Sequence, residues 1–249
     1  MTESSNVATA ANKLRVDDLH LSYGTNPILK GVSMQLAQGE VVSLLGPSGS
    51  GKTTLLGLMV GLLEPTRGEV LVNGRDLRTI ASEDYARVIG VVMQDDILFQ
   101  GTVADNVSFF DAPLDMERVV RSAQKANVAA DIEAMPMQYH SLLAEAATDI
   151  SGGQKQRLFI ARALYHAPRV LFLDEATSHL DGRSEALVSQ AVKAMEMTRI
   201  LVAHRKETIA TADRVLAVDP GEGIVRQVSG GADDDGLDAP PSPGPFSGP

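Results

Sequence analysis

The sequence predicts an α/β fold with a mainly parallel sheet and a helix-rich insert at about residues 95–165. Two observations lead to this prediction. Short β-rich runs alternate with segments of helical spacing along most of the chain. Residues 170–173 and 200–203 are also apolar at every position, which is typical of parallel strands covered on both faces.

Each element follows from a local pattern. Ser151 and Gln154 have the spacing of a capping box, so a helix should begin there and stop near Pro168. A Gly-rich turn separates the first clear strand from a strongly apolar helix. The predicted strands are 41–45, 69–72, 88–93, 170–173 and 200–203, and the other predicted helices are 52–63, 114–130 and 185–195.

Composition excludes several classes of protein. The chain has 22 Lys and Arg against 32 Asp and Glu, a net charge of -10, so no nucleic-acid partner is expected. The absence of Cys excludes disulfides, thiolate metal sites and a Cys nucleophile. The longest apolar run, at 53–63, is shorter than the roughly 20 residues of a membrane span. Any membrane role is therefore expected to be peripheral.

The chain is expected to have three parts. Residues 1–12 are small and polar and are predicted to form a flexible arm. Residues 13–229 are expected to form the folded domain. Residues 230–249 are rich in Gly, Pro and Asp with almost nothing to bury, so they are predicted to be a disordered tail.

A phosphate-binding motif lies between the first clear strand and the next helix. The pattern G-x-x-x-x-G-K-S/T is matched at every fixed position. The glycines allow backbone N–H groups to surround phosphate oxygens, and the helix N-terminus adds partial positive charge. Lys52 would contact the β- and γ-phosphates and the Thr53 hydroxyl would ligate Mg²⁺. The alternative is a Gly/Ser turn that happens to precede a lysine. The expected phosphate-binding residues are Gly46, Pro47, Ser48, Gly49, Ser50, Gly51, Lys52, Thr53 and Thr54.

A second anchor is the acidic pair that ends the apolar run at 170–173. Asp174 would lie at the carboxyl end of a parallel strand, where open α/β sheets bind ligands, and would hold Mg²⁺. Glu175 would act as the base that polarises the attacking water. The alternative is a pair of acids that caps the following helix.

Together with Ser151-Gly152-Gly153-Gln154, these motifs resemble the nucleotide-binding domain of an ABC transporter. The resemblance runs from about residue 14 to residue 219. It implies a P-loop NTPase (RecA-like) fold, with a mainly parallel core, an antiparallel β part and a helical subdomain. ATP and Mg²⁺ are the cofactors it implies.

The resemblance also implies roles for four separate residues. Tyr23 matches the aromatic that stacks on adenine, and Gln94 matches the glutamine that links the Mg²⁺ and water site to the transmembrane interface. Asp181 matches the loop that crosses the dimer interface, and His204 matches the switch histidine at the γ-phosphate. Taken alone, Tyr23 could be a core residue, His204 structural and Gln94 an exposed loop residue.

The segment Ser151-Gly152-Gly153 is itself an anion site, because a hydroxyl and bare amides open a helix. The resemblance implies that it covers the γ-phosphate bound by the P-loop of a second copy. The expected state is a head-to-tail homodimer with two equal ATP sites. The other expected partner is a transmembrane domain or subunit, at the cytoplasmic side of the inner membrane.

Within the family, GVVMQDDILFQGTVADNVSFFD resembles bacterial exporters of bacteriocins and other peptides. The expected function is therefore an ATPase that drives transport. Two alternatives stay open, a soluble ABC ATPase of translation or DNA repair and a P-loop kinase of small molecules. The cargo, the direction of transport and whether the membrane part is fused or separate also stay open.

Overall fold

The computed structural model describes residues 12–143, 150–174, 182–193, 195, 197–202, 209, 212–219 and 225–229. Its strands are β1 (Asn12–Tyr23), β2 (Asn26–Ala37), β3 (Val41–Leu45), β4 (Arg67–Val72), β5 (Arg75–Asp76), β6 (Ile89–Val92), β7 (Gly101–Thr102), β8 (Leu142–Leu143), β9 (Val170–Asp174), β10 (Thr198–Val202), β11 (Arg214–Val218) and β12 (Val225–Ser229). Its helices are α1 (Lys52–Met59), α2 (Ser82–Ala86), α3 (Val103–Ser108), α4 (Met116–Lys125), α5 (Ala129–Glu133), α6 (Gly152–Leu164) and α7 (Gly182–Lys193).

The central sheet has the strand order β12-β11-β3-β10-β9-β6. The pairs from β11 to β6 are parallel, and β12 is antiparallel to β11. A second sheet, in the order β2-β1-β4-β5, is antiparallel throughout. The predicted α/β class, with a mainly parallel core and an antiparallel part, is therefore confirmed.

Apolar residues on successive positions of the parallel strands face two different cores. In β9, Val170 and Phe172 pack with α1 and the antiparallel sheet, whereas Leu171 and Leu173 pack with the helical side. The same alternation separates Ile200 from Leu201 in β10. Burial on both faces explains why these runs are apolar at every position.

The helix-rich insert between β6 and β9 contains α3, α4, α5 and α6. The single helix predicted at 114–130 is wrong in extent. The structure has two helices there, because the chain turns at Asn127, which has a left-handed φ of 56° and lies between α4 and α5. Val119, Ile132 and Leu158, from three of these helices, are buried in one shared cluster with the sheet.

The apolar helix predicted at 52–63 is also shorter than expected. It ends at Met59 because Gly61 takes a φ of 79°, and the Leu62 N–H donates to the Gly57 carbonyl over 2.9 Å. This arrangement closes the last turn of α1 and leaves Leu62 exposed. None of the helices in the described ranges is long and apolar enough to cross a bilayer.

Candidate nucleotide-binding site

The loop between β3 and α1 is shaped to surround an anion. Gly49 and Gly51 have φ values of 78° and 95°, a region that side-chain-bearing residues rarely adopt. Gly51 is also the N-cap of α1, so no cap side chain accepts from the first-turn N–H groups, and no acid lies in that turn. The helix N-terminus therefore presents its N–H donors and partial positive charge to the loop.

Gly46 is held in a close backbone approach. A Cβ atom there would lie 2.6 Å from the Val218 carbonyl oxygen and 2.6 Å from Ser50 Oγ. Ser50 is buried, and its N–H donates to the Pro47 carbonyl over 3.2 Å. The end of β11 thus packs directly against the loop, which requires glycine at position 46.

Lys52 crosses the loop from the first turn of α1. Its side chain is buried, and Nζ donates to the carbonyl oxygens of Gly46 at 2.8 Å and Pro47 at 2.9 Å. Ser48 and Thr53 are exposed, and Thr54 is half-buried. The loop therefore combines a full positive charge, two glycine turns and an accessible hydroxyl in one place.

The strand register brings Asp174 to the same edge of the sheet. Val202 of β10 pairs with Leu44 of β3 on one side and with Asp174 on the other. Two strand spacings separate β3 from β9, a lateral distance of roughly 10 Å. Asp174 is 1% exposed at the carboxyl end of its strand. A carboxylate and the P-loop hydroxyl can therefore face one ligand between them.

Gln94 lies one strand further along the same edge. It follows β6, in which Val92 pairs with Leu173 of β9, and its side chain is exposed. The turn that carries it is closed by a 3.1 Å hydrogen bond from the Met93 N–H to the Asp96 carboxylate. Burial raises the pKa of Asp96, partly opposed by this bond and by Arg162.

Three predicted residues lie outside the described residues: Glu175, Asp181 and His204. Asp174 before Glu175 and Gly182 after Asp181 are described, and β10 ends at Val202, two residues before His204. Glu175 follows β9, and β10, whose last described residue is Val202, pairs in parallel with β9 as expected. The roles of the three residues remain predictions.

Tyr23 ends β1 at a hairpin, where it pairs with Asn26. Its side chain is 56% exposed. This exposure contradicts the alternative in which Tyr23 is a core residue. An exposed aromatic ring at a hairpin can offer its face to a base.

Ser151 is the N-cap of α6, as predicted. Its Oγ accepts from the Gln154 N–H over 3.2 Å, and its own N–H donates to Gln154 Oε1 over 2.9 Å. Gln154 Nε2 also donates to Asp131, which accepts a second hydrogen bond from the buried Arg157. Gln154 is thus fixed by internal hydrogen bonds, and the exposed groups at this helix end are Ser151 and Gly152.

No group of three or more His, Asp or Glu side chains within the described part of the chain could hold a metal ion by itself. Mg²⁺ does not require such a group, because it is commonly bound by one or two protein oxygens together with substrate phosphates. Thr53 and Asp174 supply oxygen ligands of the type that Mg²⁺ prefers.

Sequence reasoning missed two side chains that organise the insert, Asn106 and Arg162. Asn106 is buried in α3, and Arg162 donates three hydrogen bonds from α6 to Ile97 and Asn106. The signal that points to Arg162 is a cation within the apolar stretch IARAL of the predicted helix.

The fold and this site define a P-loop nucleotide-binding domain. The family model described as "ABC transporter" matches residues 29–178. The chain belongs to the ABC transporter family, and the matched region is its ATP-binding domain.

Individual relatives agree with this assignment. The colicin V secretion/processing ATP-binding protein CvaB of Escherichia coli is 47% identical over 192 residues, which cover 77% of this chain and 28% of that protein. The probable microcin-H47 secretion/processing ATP-binding protein MchF of Escherichia coli is 44% identical over 207 residues, 82% of this chain and 30% of that protein. The predicted resemblance to bacterial peptide and bacteriocin exporters is thereby confirmed.

Among solved structures, a bacterial Atm1-family ABC exporter with ATP bound aligns with a TM-score of 0.79 at 31% identity. The alignment covers 93% of this chain and 41% of that one. The chain thus spans less than half the length of these relatives.

Proposed function

We propose that the chain is the ATP-hydrolysing motor domain of an ABC exporter. The observation that supports this most directly is the sheet register, which brings Asp174 to the edge where Lys52 and Thr53 begin α1. These three residues supply the charge, the hydroxyl and the carboxylate of an ATP·Mg²⁺ site. The resemblance to secretion ATP-binding proteins supports export as the direction.

In this proposal the loop amides and Lys52 bind the phosphates of ATP. Thr53 and Asp174 hold Mg²⁺, which would neutralise charge that develops on the phosphate oxygens. Gln94 orients the attacking water, Glu175 accepts its proton, and His204 contacts the γ-phosphate. Tyr23 stacks on adenine, whereas the phosphate loop binds the phosphates.

A head-to-tail homodimer completes the site in this proposal. α6 packs against β6, which lies three strands from β3, a lateral separation of roughly 14 Å. The Ser151 end therefore fits the P-loop of a second copy better than its own. No acid lies in the first turn of α6, so that end stays suited to an anion. In this proposal Asp181 belongs to the loop that crosses the dimer interface, as the family resemblance implies.

The proposed contact with the membrane part is an exposed aromatic cluster, defined as Phe99, Phe109 and Phe110. The ring of Phe99 lies 5.6 Å from that of Phe109 and 6.2 Å from that of Phe110, in edge-to-face geometry. The cluster follows Gln94 in the chain. We place the domain at the cytoplasmic side of the inner membrane, with an arm before β1, which begins at Asn12, and with residues 230–249 as a tail.

The ATPase proposal is tested by Lys52→Ala. Loss of the P-loop charge should abolish productive ATP binding and turnover, because no other full positive charge lies in the motif. Calorimetry with ATP and Mg²⁺ measures binding. A phosphate-release assay without any phosphoacceptor measures turnover. Lys125→Ala, at the exposed end of α4, is the control.

Unchanged affinity and turnover in Lys52→Ala would contradict the assignment. Turnover that requires an added small-molecule phosphoacceptor would favour the kinase alternative.

The transport proposal is tested by Phe99→Ala after the domain is combined with its membrane partner. We expect ATPase of the isolated domain to remain near the parent value and transport to fall, since the contacts of the ring are with Phe109, Phe110 and Arg162 of the helical insert. Leu142→Ala removes another exposed apolar side chain and is the control. An equal loss of ATPase and transport in Phe99→Ala would argue against a coupling surface.

A further inference from the structure

One side chain of α6, that of Arg162, contacts two of the three rings of the aromatic cluster, Phe99 and Phe109. The Arg162 guanidinium donates through Nε to the Asn106 carbonyl over 2.9 Å and through Nη1 to the Ile97 carbonyl over 3.0 Å. Its Nη2 donates to Asn106 Oδ1 over 3.0 Å. These bonds connect α6 to α3 and to the segment that follows Gln94, whose bonded residues lie 56 and 65 residues earlier in the chain than Arg162.

The same guanidinium also packs on aromatic rings. Its Cζ lies 5.3 Å from the centroid of Phe99 and 5.5 Å from that of Phe109. It lies 5.2 Å from the centroid of Phe159, which is buried one turn earlier in α6. A planar cation is therefore placed between the exposed cluster and the helix core, a geometry that an arginine provides and a lysine does not.

Asn106 extends this support to the backbone of Phe99. Its Oδ1 accepts from the Phe99 N–H over 2.8 Å, and its Nδ2 donates to the Phe99 carbonyl over 2.8 Å. Because Asn106 is 1% exposed and Arg162 bonds the same Oδ1, the amide has one orientation. The position of Phe99 is thus set by Asn106, and that of Asn106 by Arg162.

Electrostatics favour keeping these contacts. Burial lowers the pKa of Arg162, and the nearby Asp96 acts in the opposite direction. An arginine nevertheless stays charged at neutral pH, so its loss of water must be offset by directed hydrogen bonds. The carbonyl oxygens of Ile97 and Asn106 provide them. Displacing the segment that carries Ile97 and Asn106 would leave a half-buried charge without these acceptors.

We propose that Arg162 is a positioning residue that joins the aromatic cluster to α6, so that ligand binding at the Ser151 end changes the order of the cluster. This rests on the proposed function of both ends. Arg162 is 11 residues from Ser151 on one continuous helix, a distance of roughly 16 Å along its axis. Because α6 is one uninterrupted helix, a displacement at its Ser151 end can be carried to Arg162, whose contacts join the cluster to the helix.

The first experiment measures hydrogen exchange of residues 97–110 without nucleotide. In Arg162→Lys the charge remains but the fork and the ring contacts are lost, and exchange at the Phe99 N–H should rise at least tenfold. Arg121→Lys is the matched control, since Arg121 is exposed on α4 in an ion pair with Glu117. Exchange unchanged from the parent would overturn the proposal.

Should Arg162→Lys fail to fold by circular dichroism, Phe109→Leu replaces it. This exposed position loses only one ring contact of the guanidinium, and exchange of residues 97–110 should still rise about threefold, with α1 unaffected. No rise, or an equal rise in α1, would overturn the proposal.

The second experiment adds ATP and Mg²⁺ in a Glu175→Gln background. Exchange of residues 97–110 should slow in the parent, whereas Arg162→Lys should bind ATP with the same Kd and lose this response. A purely structural role would leave the response present in both proteins, which would overturn the proposal. A parent that binds no ATP would contradict the proposed function instead, and the comparison without nucleotide would still decide whether Arg162 holds the cluster.

Discussion

Two side chains of the nucleotide site have opposite environments. Lys52 is buried, and its two carbonyl hydrogen bonds hold the ammonium across the loop. Tyr23 is 56% exposed at the end of a hairpin, and it belongs to neither of the two apolar clusters of the described residues. Preorganised charge suits phosphate binding, and an uncovered ring suits a ligand with a flat face.

At the residue scale we predict that Tyr23→Ala weakens binding of ATP by about 1–3 kcal/mol, because stacking on a base contributes that much. This corresponds to roughly 5- to 150-fold in Kd. Titration calorimetry on Tyr23→Ala and Tyr23→Phe measures it, and the phenylalanine control should bind like the parent because the ring remains. An alanine variant with parental affinity would show that Tyr23 does not contact the base.

At the element scale, α3 owes its start to a capping box that the sequence pattern did not identify. The Thr102 N–H and hydroxyl both donate to Asp105 Oδ2, over 2.8 and 2.7 Å, and the Asp105 N–H donates back to Thr102 Oγ1 over 3.0 Å. These bonds, first from the backbone and then from the hydroxyl, lower the pKa of Asp105. The helix that carries Asn106 therefore begins at a charged cap.

We predict that Thr102→Ala destabilises the domain by about 1 kcal/mol at neutral pH, the usual effect of removing an N-cap. The pKa of Asp105 is lower in the folded state than in the unfolded state, so its ionised carboxylate stabilises the fold. This stabilisation is present above the unfolded pKa and is lost as pH falls through the folded pKa. The difference in free energy of unfolding between the parent and Thr102→Ala should therefore shrink below about pH 4. Urea unfolding at neutral and acid pH measures it.

The control for this prediction is Thr79→Ala. The hydroxyl of Thr79 is exposed and donates to a backbone carbonyl, that of Asp76, rather than to a carboxylate. Thr79→Ala should lower the free energy of unfolding by less than Thr102→Ala does, and the loss should not depend on pH. Equal behaviour of the two variants would indicate that the charged cap contributes nothing to α3.

At the scale of the whole molecule, the proposed dimer depends on ATP that is bound but not hydrolysed. Removal of the Glu175 charge should leave affinity intact and slow hydrolysis by about 10²–10⁴-fold, the usual contribution of a general base. We therefore predict that Glu175→Gln elutes as a dimer with ATP and Mg²⁺, while the parent is mainly monomeric after turnover. Size-exclusion chromatography with light scattering distinguishes the two.

Addition of Ser151→Arg should return the Glu175→Gln protein to a monomer, because a bulky cation would fill the small anion site at the start of α6. A Glu175→Gln protein that stays monomeric at saturating ATP would count against the shared site. A double variant that still dimerises would show that the Ser151 end does not close over the phosphate.

Short-range chemistry explains what could be predicted from the sequence. The phosphate loop and the Ser151–Gln154 capping box each depend on residues within eight positions of one another, so their patterns are visible in the linear chain. The strand at Val41–Leu45 was predicted with its observed bounds. Its apolar residues pack into the clusters on both faces of the sheet, so the strand appears in the sequence as a short apolar run.

Other features depend on contacts between distant residues. Strands β1 and β2 were not predicted from residue pattern, since a register shift between Val16 and Leu19, where Asp18 has a φ of 46°, breaks the alternation of apolar residues. The end of α1 at Gly61 and the break at Asn127 depend on left-handed residues whose turns are supported by packing.

The sequence by itself determined the chemistry of the site, because the residue types that bind phosphate and Mg²⁺ lie in short contiguous motifs. The tertiary structure decided which of these motifs meet: the pairing of β10 with both β3 and β9 aligns Leu44, Val202 and Asp174 at one edge. It also gave Arg162 its partners at Ile97 and Asn106, 65 and 56 residues away. Such partners arise from the packing of whole elements, and no local pattern around Arg162 specifies which carbonyl groups will lie within reach of its guanidinium.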